Sequence, residues 1–368
     1  MEFSLTEEQA AIADLAGKVF REHGSDEHVR HLAEAGQTVD AHLWQTLQGT
    51  GLASLALPEA QGGAGMGMLE LALVLQAQGR HLGAAPLWTH LLATLAVAAH
   101  GSASLRERIL PALAAGTQIV GLATEFEAHV GLRATRDARG WSLDGHLHAV
   151  LLDASHAWLA LPALTDDGLR LFLVPTDQAG MTRTSGVLTD LQPVCDLVFS
   201  AVRVAPDSVL DAAAIDWLMP RMACCIAALQ LGVVEEALRR AAAYVGEREQ
   251  FGRPLGSFQA LAVRAADAYI EVELLRSALW QLAWRLDQGL LATAAARVAK
   301  HQSSQAGYIV GHTAQHFHGG VGADLQYPIH RFYLKSQALS HIGGSAQAQL
   351  ARIGQTLAGD HIEEYEHE

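Results

Sequence analysis

Along the first third of the chain, apolar residues recur at helical spacing. From Ser4 to about Gly116 the pattern is helical throughout: LELALVLQAQGRHL repeats its apolar positions at three- and four-residue intervals, and Leu5-Thr6-Glu7-Glu8 has the form of a capped start with Thr6 as N-cap. The loop LPEAQGGAGMG, Leu57 to Gly67, is the clearest break, followed by Pro86 and Pro111. Between Thr117 and Leu210 the texture changes to short runs rich in Val, Leu and Thr. Turn signals separate them at Asp137 to Gly140, Thr165 to Gly168 and Asp177 to Gly180. HAWLALPAL, LRLFLVPT and DLVFSAVRV predict strands at hairpin spacing, which suits a small barrel or sandwich.

Long helical patterns return from about Ala212 to Leu357. They run through IDWLMPRMACCIAALQLGVVEEALRRAAAYVGERE, SFQALAVRAADAYIEVELLRSALWQLAWRLDQG and LLATAAARVAKHQSSQAGYIVGHTAQHFHGG. Their length predicts a bundle. The expected architecture is therefore mainly α with a central β domain. An N-terminal helical domain covers 1–116, a middle β domain 117–210 and a C-terminal helical bundle 211–357, with a frayed acidic tail over 358–368.

Composition narrows the partners. The 368 residues are 50% hydrophobic, enough to bury a large core, and a net charge of -14 repels phosphate backbones and anionic lipid. Nucleic acid and membrane surfaces are excluded on that ground. Three cysteines, Cys195, Cys224 and Cys225, have neither metal-ligand spacing nor the count of a disulfide framework, which suits a reducing cytoplasm. The N-terminus is acidic and amphipathic rather than basic and then apolar, so no signal peptide is expected, and no uninterrupted apolar run reaches bilayer length.

Six stretches come into question for chemistry. YVGEREQFGRPLGSFQA, Tyr244 to Ala260, ends one helix at Arg248 and Glu249, turns through Gly252 to Pro254 and restarts at Ser257; taken alone it is a helix-helix corner with a cation at a helix C-terminus. GHTAQHFHGGVGADLQYP places His312, His316 and His318 before Gly319-Gly320. No carboxylate follows at zincin spacing, so the histidines predict hydrogen-bonded helix ends rather than a metal site. Cys224-Cys225 sits in an apolar helical run as small buried side chains, and Glu235-Glu236 and Glu271 with Glu273 suit solvated helix faces. In ALSHIGGSAQAQLARIG, Gly343-Gly344 permits positive φ and Ser345 caps a new helix.

In their order along the chain, these strings resemble the acyl-CoA dehydrogenase family over nearly its whole length: LPEAQGGAGMG, a turn-rich β domain ending LVFSAVRV, REQFGRPLGSFQ, HGGVG and QYPIHRF. The resemblance implies an N-terminal helical domain, a β-barrel middle domain and a C-terminal four-helix bundle. It also implies an FAD enzyme that takes a proton from Cα and a hydride from Cβ of an acyl-CoA thioester, with the flavin's ADP half held by the neighbouring subunit. On that pattern Arg248 faces the pyrophosphate, Gln250, Phe251 and Gln259 lie against the dinucleotide, and His316, Gly319 and Gly320 form its other wall. His316 replaces a glutamine common in the family.

Other family features are missing. ATEFEAHVGLRA keeps Thr124-Glu125 but has Phe126 for proline and no Gly-Ser-Asp loop, and the Trp-Ile-Thr segment falls on Ala149-Val150-Leu151. The catalytic glutamate falls on Gly343, which cannot take a proton, and the alternative base position reads Met222. Ser345 and Gln347 still match flavin-contacting residues. The resemblance thus implies the non-catalytic subunit of a heteromeric acyl-CoA dehydrogenase, with FAD shared with a homologous partner that carries the base. A steroid-type acyl-CoA is the implied substrate and an electron-transfer flavoprotein the implied acceptor. Two other readings stand beside it: a homo-oligomeric flavoenzyme with base-independent chemistry, and a flavin-free acyl-CoA-binding or assembly protein.

Overall fold

A computed structural model of the protein describes residues 4–126 and 131–358. Six helices come first: α1 (Glu7–His23), α2 (Asp26–Glu34), α3 (Ala41–Gly49), α4 (Met68–Arg80), α5 (Leu87–His100) and α6 (Ala103–Ala114). Seven strands follow: β1 (Ile119–Leu122), β2 (Leu132–Asp137), β3 (Gly140–Val150), β4 (His156–Thr165), β5 (Gly168–Pro175), β6 (Met181–Val187) and β7 (Pro193–Val204). After α7 (Ala214–Glu247) come the short strands β8 (Glu249–Gln250) and β9 (Arg253–Pro254), then α8 (Gln259–Asp287), α9 (Thr293–His318), α10 (Ile329–His341) and α11 (Ala346–Ala358). Contacts gather these into two compact units, Met1–Gln37 with Gly67–Ala84 and Pro220–Glu368, and Thr38–Met66 with Ala85–Met219.

The second unit holds the sheet. Its order is β1-β4-β2-β3-β7-β6, with β5 paired to β4. The three turn signals fall between β2 and β3, β4 and β5, and β5 and β6; Arg139 N donates to Asp137 Oδ1 at 2.7 Å and Thr165 Oγ1 to Gly168 O at 2.7 Å. The expected barrel does not form. Among the described residues β1 pairs along its length only with β4, and β6 only with β7, so the path of strands stays open at both ends. Two local features account for this. One residue pair, Arg133 with Leu164, joins β2 to β4, and β6 (MTRTSGV) exposes nearly every side chain, leaving it no apolar face to cover with another strand. The inward faces of the other strands share one core that includes Leu143, Leu161, Leu197 and Phe199, where Trp141 meets Phe172 edge-on at 5.3 Å.

In the first unit Thr6 caps α1 as expected: its Oγ1 accepts from Gln9 N at 3.2 Å, while Gln9 Oε1 accepts from Thr6 N at 3.0 Å. The N-terminus of α4 is capped from far away by Asp287 at the end of α8, which accepts from Met68 N at 2.6 Å and Leu69 N at 3.1 Å. Helices α4 and α7 cross with their backbones touching. A Cβ on Gly79 would stand 2.0 Å from Leu229 O, and one on Gly232 would stand 1.9 Å from Gln76 O. Helix α7 has the length and composition of a membrane span, yet 83% of its apolar window is buried within the protein. Burial also pushes the Cys224 and Cys225 thiols well above their usual range, which leaves them protonated and inert.

Candidate functional site

Every residue that the sequence marks for the dinucleotide lies in the first unit. Helix α7 ends at Glu247, and β8 and β9 reverse the chain through Phe251 and Gly252, at φ 56° and 76°. Two successive positive φ values make this a primed hairpin turn. A phenylalanine in the left-handed region is strained, and Phe251 is 90% exposed, touching its own chain through an edge contact to Phe258 at 6.1 Å. Arg248 and Gln259 are exposed, and the Arg248 guanidinium has no partner among the described residues. Gln250 is also exposed and donates Nε2 to Glu249 O at 2.9 Å.

The glycine loop at the end of α9 is held to this corner. Tyr244, whose carbonyl accepts from Arg248 N at 2.8 Å, stacks on His318 at 4.4 Å and 24°, and Tyr327 closes against both rings. His318 is buried and donates Nδ1 to Ala314 O at 2.7 Å; burial and the nearby Arg240 lower its pKa, so the stacked ring is neutral. Next to it His316 is exposed. Gly319 has φ 58°, and a Cβ on Gly319 or Gly320 would meet nothing within 4 Å, so packing within the chain does not demand glycine at 320. His312 points elsewhere, with Nδ1 on Tyr308 O at 2.8 Å and Nε2 3.4 Å from Tyr333 Oη. The Tyr244-His318 stack leaves little mark on the sequence; its local trace is a tyrosine one helical turn before Arg248.

The second cluster surrounds the double glycine. Gly343 and Gly344 adopt φ 73° and 102°, and Ser345 starts α11 by accepting from Ala348 N at 3.3 Å on Oγ and from Gln349 N at 3.0 Å on its carbonyl. Gly343 O accepts from Gln349 Nε2 at 2.8 Å and Arg352 Nη1 at 3.3 Å. A Cβ on Gly343 would stand 3.3 Å from Met222 Cε, 3.6 Å from Ile226 Cδ1 and 3.7 Å from Lys300 Cε. Lys300, unmarked in the sequence, is 2% exposed and donates Nζ to Ser304 Oγ at 2.6 Å and Ser340 O at 3.1 Å. Burial without a carboxylate partner lowers its pKa to about 7. Its place on the small-residue face of α9, with Ala296, Ser303 and Gly307, is the signal that could have found it.

Family models match both helical parts: the acyl-CoA dehydrogenase N-terminal domain over residues 6–117 and the C-terminal domain over 213–358. The chain belongs to the acyl-CoA dehydrogenase family. It is 35% identical to the acyl-CoA dehydrogenase FadE27 of Mycobacterium tuberculosis, over 97% of this chain and 99% of that one. Among solved structures it is similar to a variant of the Tcur3481-Tcur3483 steroid ACAD, at 39% identity and a TM-score of 0.90 over 96% of this chain and 98% of that one. It is also similar to the ChsE4-ChsE5 complex from Mycobacterium tuberculosis, at 35% identity and a TM-score of 0.93 over 98% and 99%.

The two positions at which the acyl-CoA dehydrogenase family resemblance places a base, Gly343 and Met222, face each other, and the methionine methyl stands tightly, at 3.3 Å, against the Cβ that a side chain at 343 would add. Gly343→Glu is therefore expected to lower stability through its positive φ and this contact, and to give no detectable desaturation. Melting temperature and an acyl-CoA oxidation assay on the variant check this; measurable turnover would show the site to be restorable by one change. In the other unit, Thr124 is half-buried and Glu125 exposed, while 127–130 lie outside the described residues. Ala149 has φ 47° and donates N to Asp196 Oδ1 at 2.9 Å, Val150 is buried, and Leu151 bridges to Leu122.

Proposed function

We propose that this chain is a subunit of a hetero-oligomeric, FAD-dependent acyl-CoA dehydrogenase, lacking the catalytic base and completing the FAD site of a homologous partner. One contrast carries the reading. The Arg248 guanidinium, the Phe251 ring and the glycines 319 and 320 turn outward, the guanidinium with no partner among the described residues, whereas a Cβ at Gly343, the place for a base, would stand against Met222 at 3.3 Å and the Lys300 stem at 3.7 Å. The names of the similar structures, a steroid ACAD and a two-component complex, support a steroid-type acyl-CoA as substrate and a related chain as partner.

The residues present fit a dinucleotide. The free Arg248 fork gives charge-assisted, bidentate bonds to a pyrophosphate, Phe251 offers an exposed ring, and Gly320 leaves room for close backbone approach. Gln250, Gln259 and the exposed His316 supply polar contacts around them, and Ser345 and the exposed Gln347 stand by the inner cluster. When bound, FAD supplies the hydride acceptor for α,β-desaturation; the base that takes the Cα proton comes from the partner, and an electron-transfer flavoprotein takes the electrons onward.

Co-purification with the homologous partner tests this. Arg248→Ala should reduce the flavin content of the complex several-fold while light scattering shows the assembly intact, since the side chain makes no hydrogen bond or ion pair among the described residues. Unchanged flavin occupancy would count heavily against the proposal. A yellow, active protein from this chain alone would favour a homo-oligomeric flavoenzyme instead.

A further inference from the structure

Helices α1, α4 and α7 line a half-open cavity of about 540 Å³, within the range that holds small-molecule ligands. Small residues, Ala13, Gly17 and Ala77, leave it open, and its charged wall runs against the character of the chain. The protein carries a net charge of -14, yet Arg21, Arg80 and Arg239 line this cavity, with Arg240 and Arg276 behind them. Four carboxylates answer these five guanidiniums, Glu273 among them, which takes Arg276 at 3.1 Å. Glu235 takes Arg80 and, at 2.7 Å, Arg276; Glu236 takes Arg239 at 2.6 Å and Arg240 at 2.7 Å; Asp26 takes Arg240 at 2.7 Å. One positive charge remains in excess, that of Arg21.

Donors remain as well. Arg239 spends Nε and Nη2 on Glu236 and keeps Nη1, Arg80 spends Nη2 and keeps Nε and Nη1, and Arg21 has no partner among the described residues. His81 stands at the same wall. Its pKa is lowered first by burial, against the pull of Glu236, and further by Arg21, Arg80 and Arg240. We propose that this cavity is a binding site for a phosphate-bearing small molecule, with Arg21 as its principal ligand and the free edges of Arg80 and Arg239 completing the cradle. An anion seated there offsets the arginines around His81, so binding draws the ring's pKa back up and takes up a proton.

Calorimetric titration of the full-length chain with ADP, pyrophosphate and inorganic phosphate tests the site, each run in two buffers of different ionisation enthalpy. Arg21→Ala should weaken binding tenfold or more. Gly17→Leu, whose side chain enters open space on a helix that favours leucine, should abolish it with the melting temperature retained. ADP binding tighter than pyrophosphate means that the nucleoside body lies in the cavity; equal affinities mean that the anion alone is held, and both support the site. No binding below millimolar concentration, or binding unchanged in both variants, overturns it.

Discussion

Gly232→Ala is expected to destabilise the protein by about 3 kcal/mol or more, the upper end of what overpacking costs. The methyl group would overlap a carbonyl oxygen of the facing helix at 1.9 Å, and backbone cannot swing aside as a flexible side chain can. Gly79→Ala strikes the same crossing from the other side, at 2.0 Å from Leu229 O, and should cost a similar amount. The two are in one contact, so the double variant should lose less than the sum, because the helices need to separate only once. Gly354→Ala is the control: it is also within a helix, its Cβ meets nothing within 4 Å, and it should be neutral or mildly stabilising. Thermal melts of the four variants decide this, and a Gly232→Ala protein melting with the parent would refute the backbone crossing.

Lys300→Met should raise stability at neutral pH and flatten its pH dependence. The folded-state pKa, about 7, lies below that of an unfolded lysine. Below pH 7 both states are protonated and the folded chain bears the whole cost of a buried ammonium. As pH rises from 7 towards 10 the unfolded chain holds a proton that the folded one has released, so stability climbs. The linkage relation sets an upper bound of about 5 kcal/mol on that climb. Methionine keeps the unbranched stem against the Gly343 turn, and Ser304 Oγ still donates to Ser340 O at 2.9 Å, so no polar group is orphaned. Urea unfolding at pH 6, 7, 8 and 9 should show the parent rising and the variant level; parallel curves would mean that the amine is not held neutral.

The sequence shows some of this directly because its cause is local. Long periodic stretches mark α7, α8 and α9, apolar runs mark β4, β5 and β7, and the double glycine announces its turn because only glycine adopts those angles cheaply. Strands β3 and β6 stay hidden because polar residues such as His146, His148 and Arg183 interrupt any apolar run. Whether a sheet closes depends on pairing between its two ends, which no local pattern records, and the barrel expected here fails on that point. In the candidate site, Arg248 and the glycines stand out as strings. The Tyr244-His318 stack and the contact of Met222 and Lys300 with Gly343 do not, since each joins residues far apart in the chain.

The division into two interrupted units has a consequence for synthesis. Helices α1, α2 and α4 leave the ribosome well before the rest of their unit, which is completed only by residues beyond Pro220. The whole of 85–219, which with 38–66 forms the other unit, emerges in between. At about 5–20 residues per second that interval lasts roughly seven to thirty seconds. For that time Leu71, Val74 and Leu75 of α4, all fully buried in the finished protein, wait without the part of their unit that lies beyond Pro220. The nascent chain therefore exposes apolar helix faces during that interval, and the last residues of the sheet-bearing unit are made before those of the unit that holds α1.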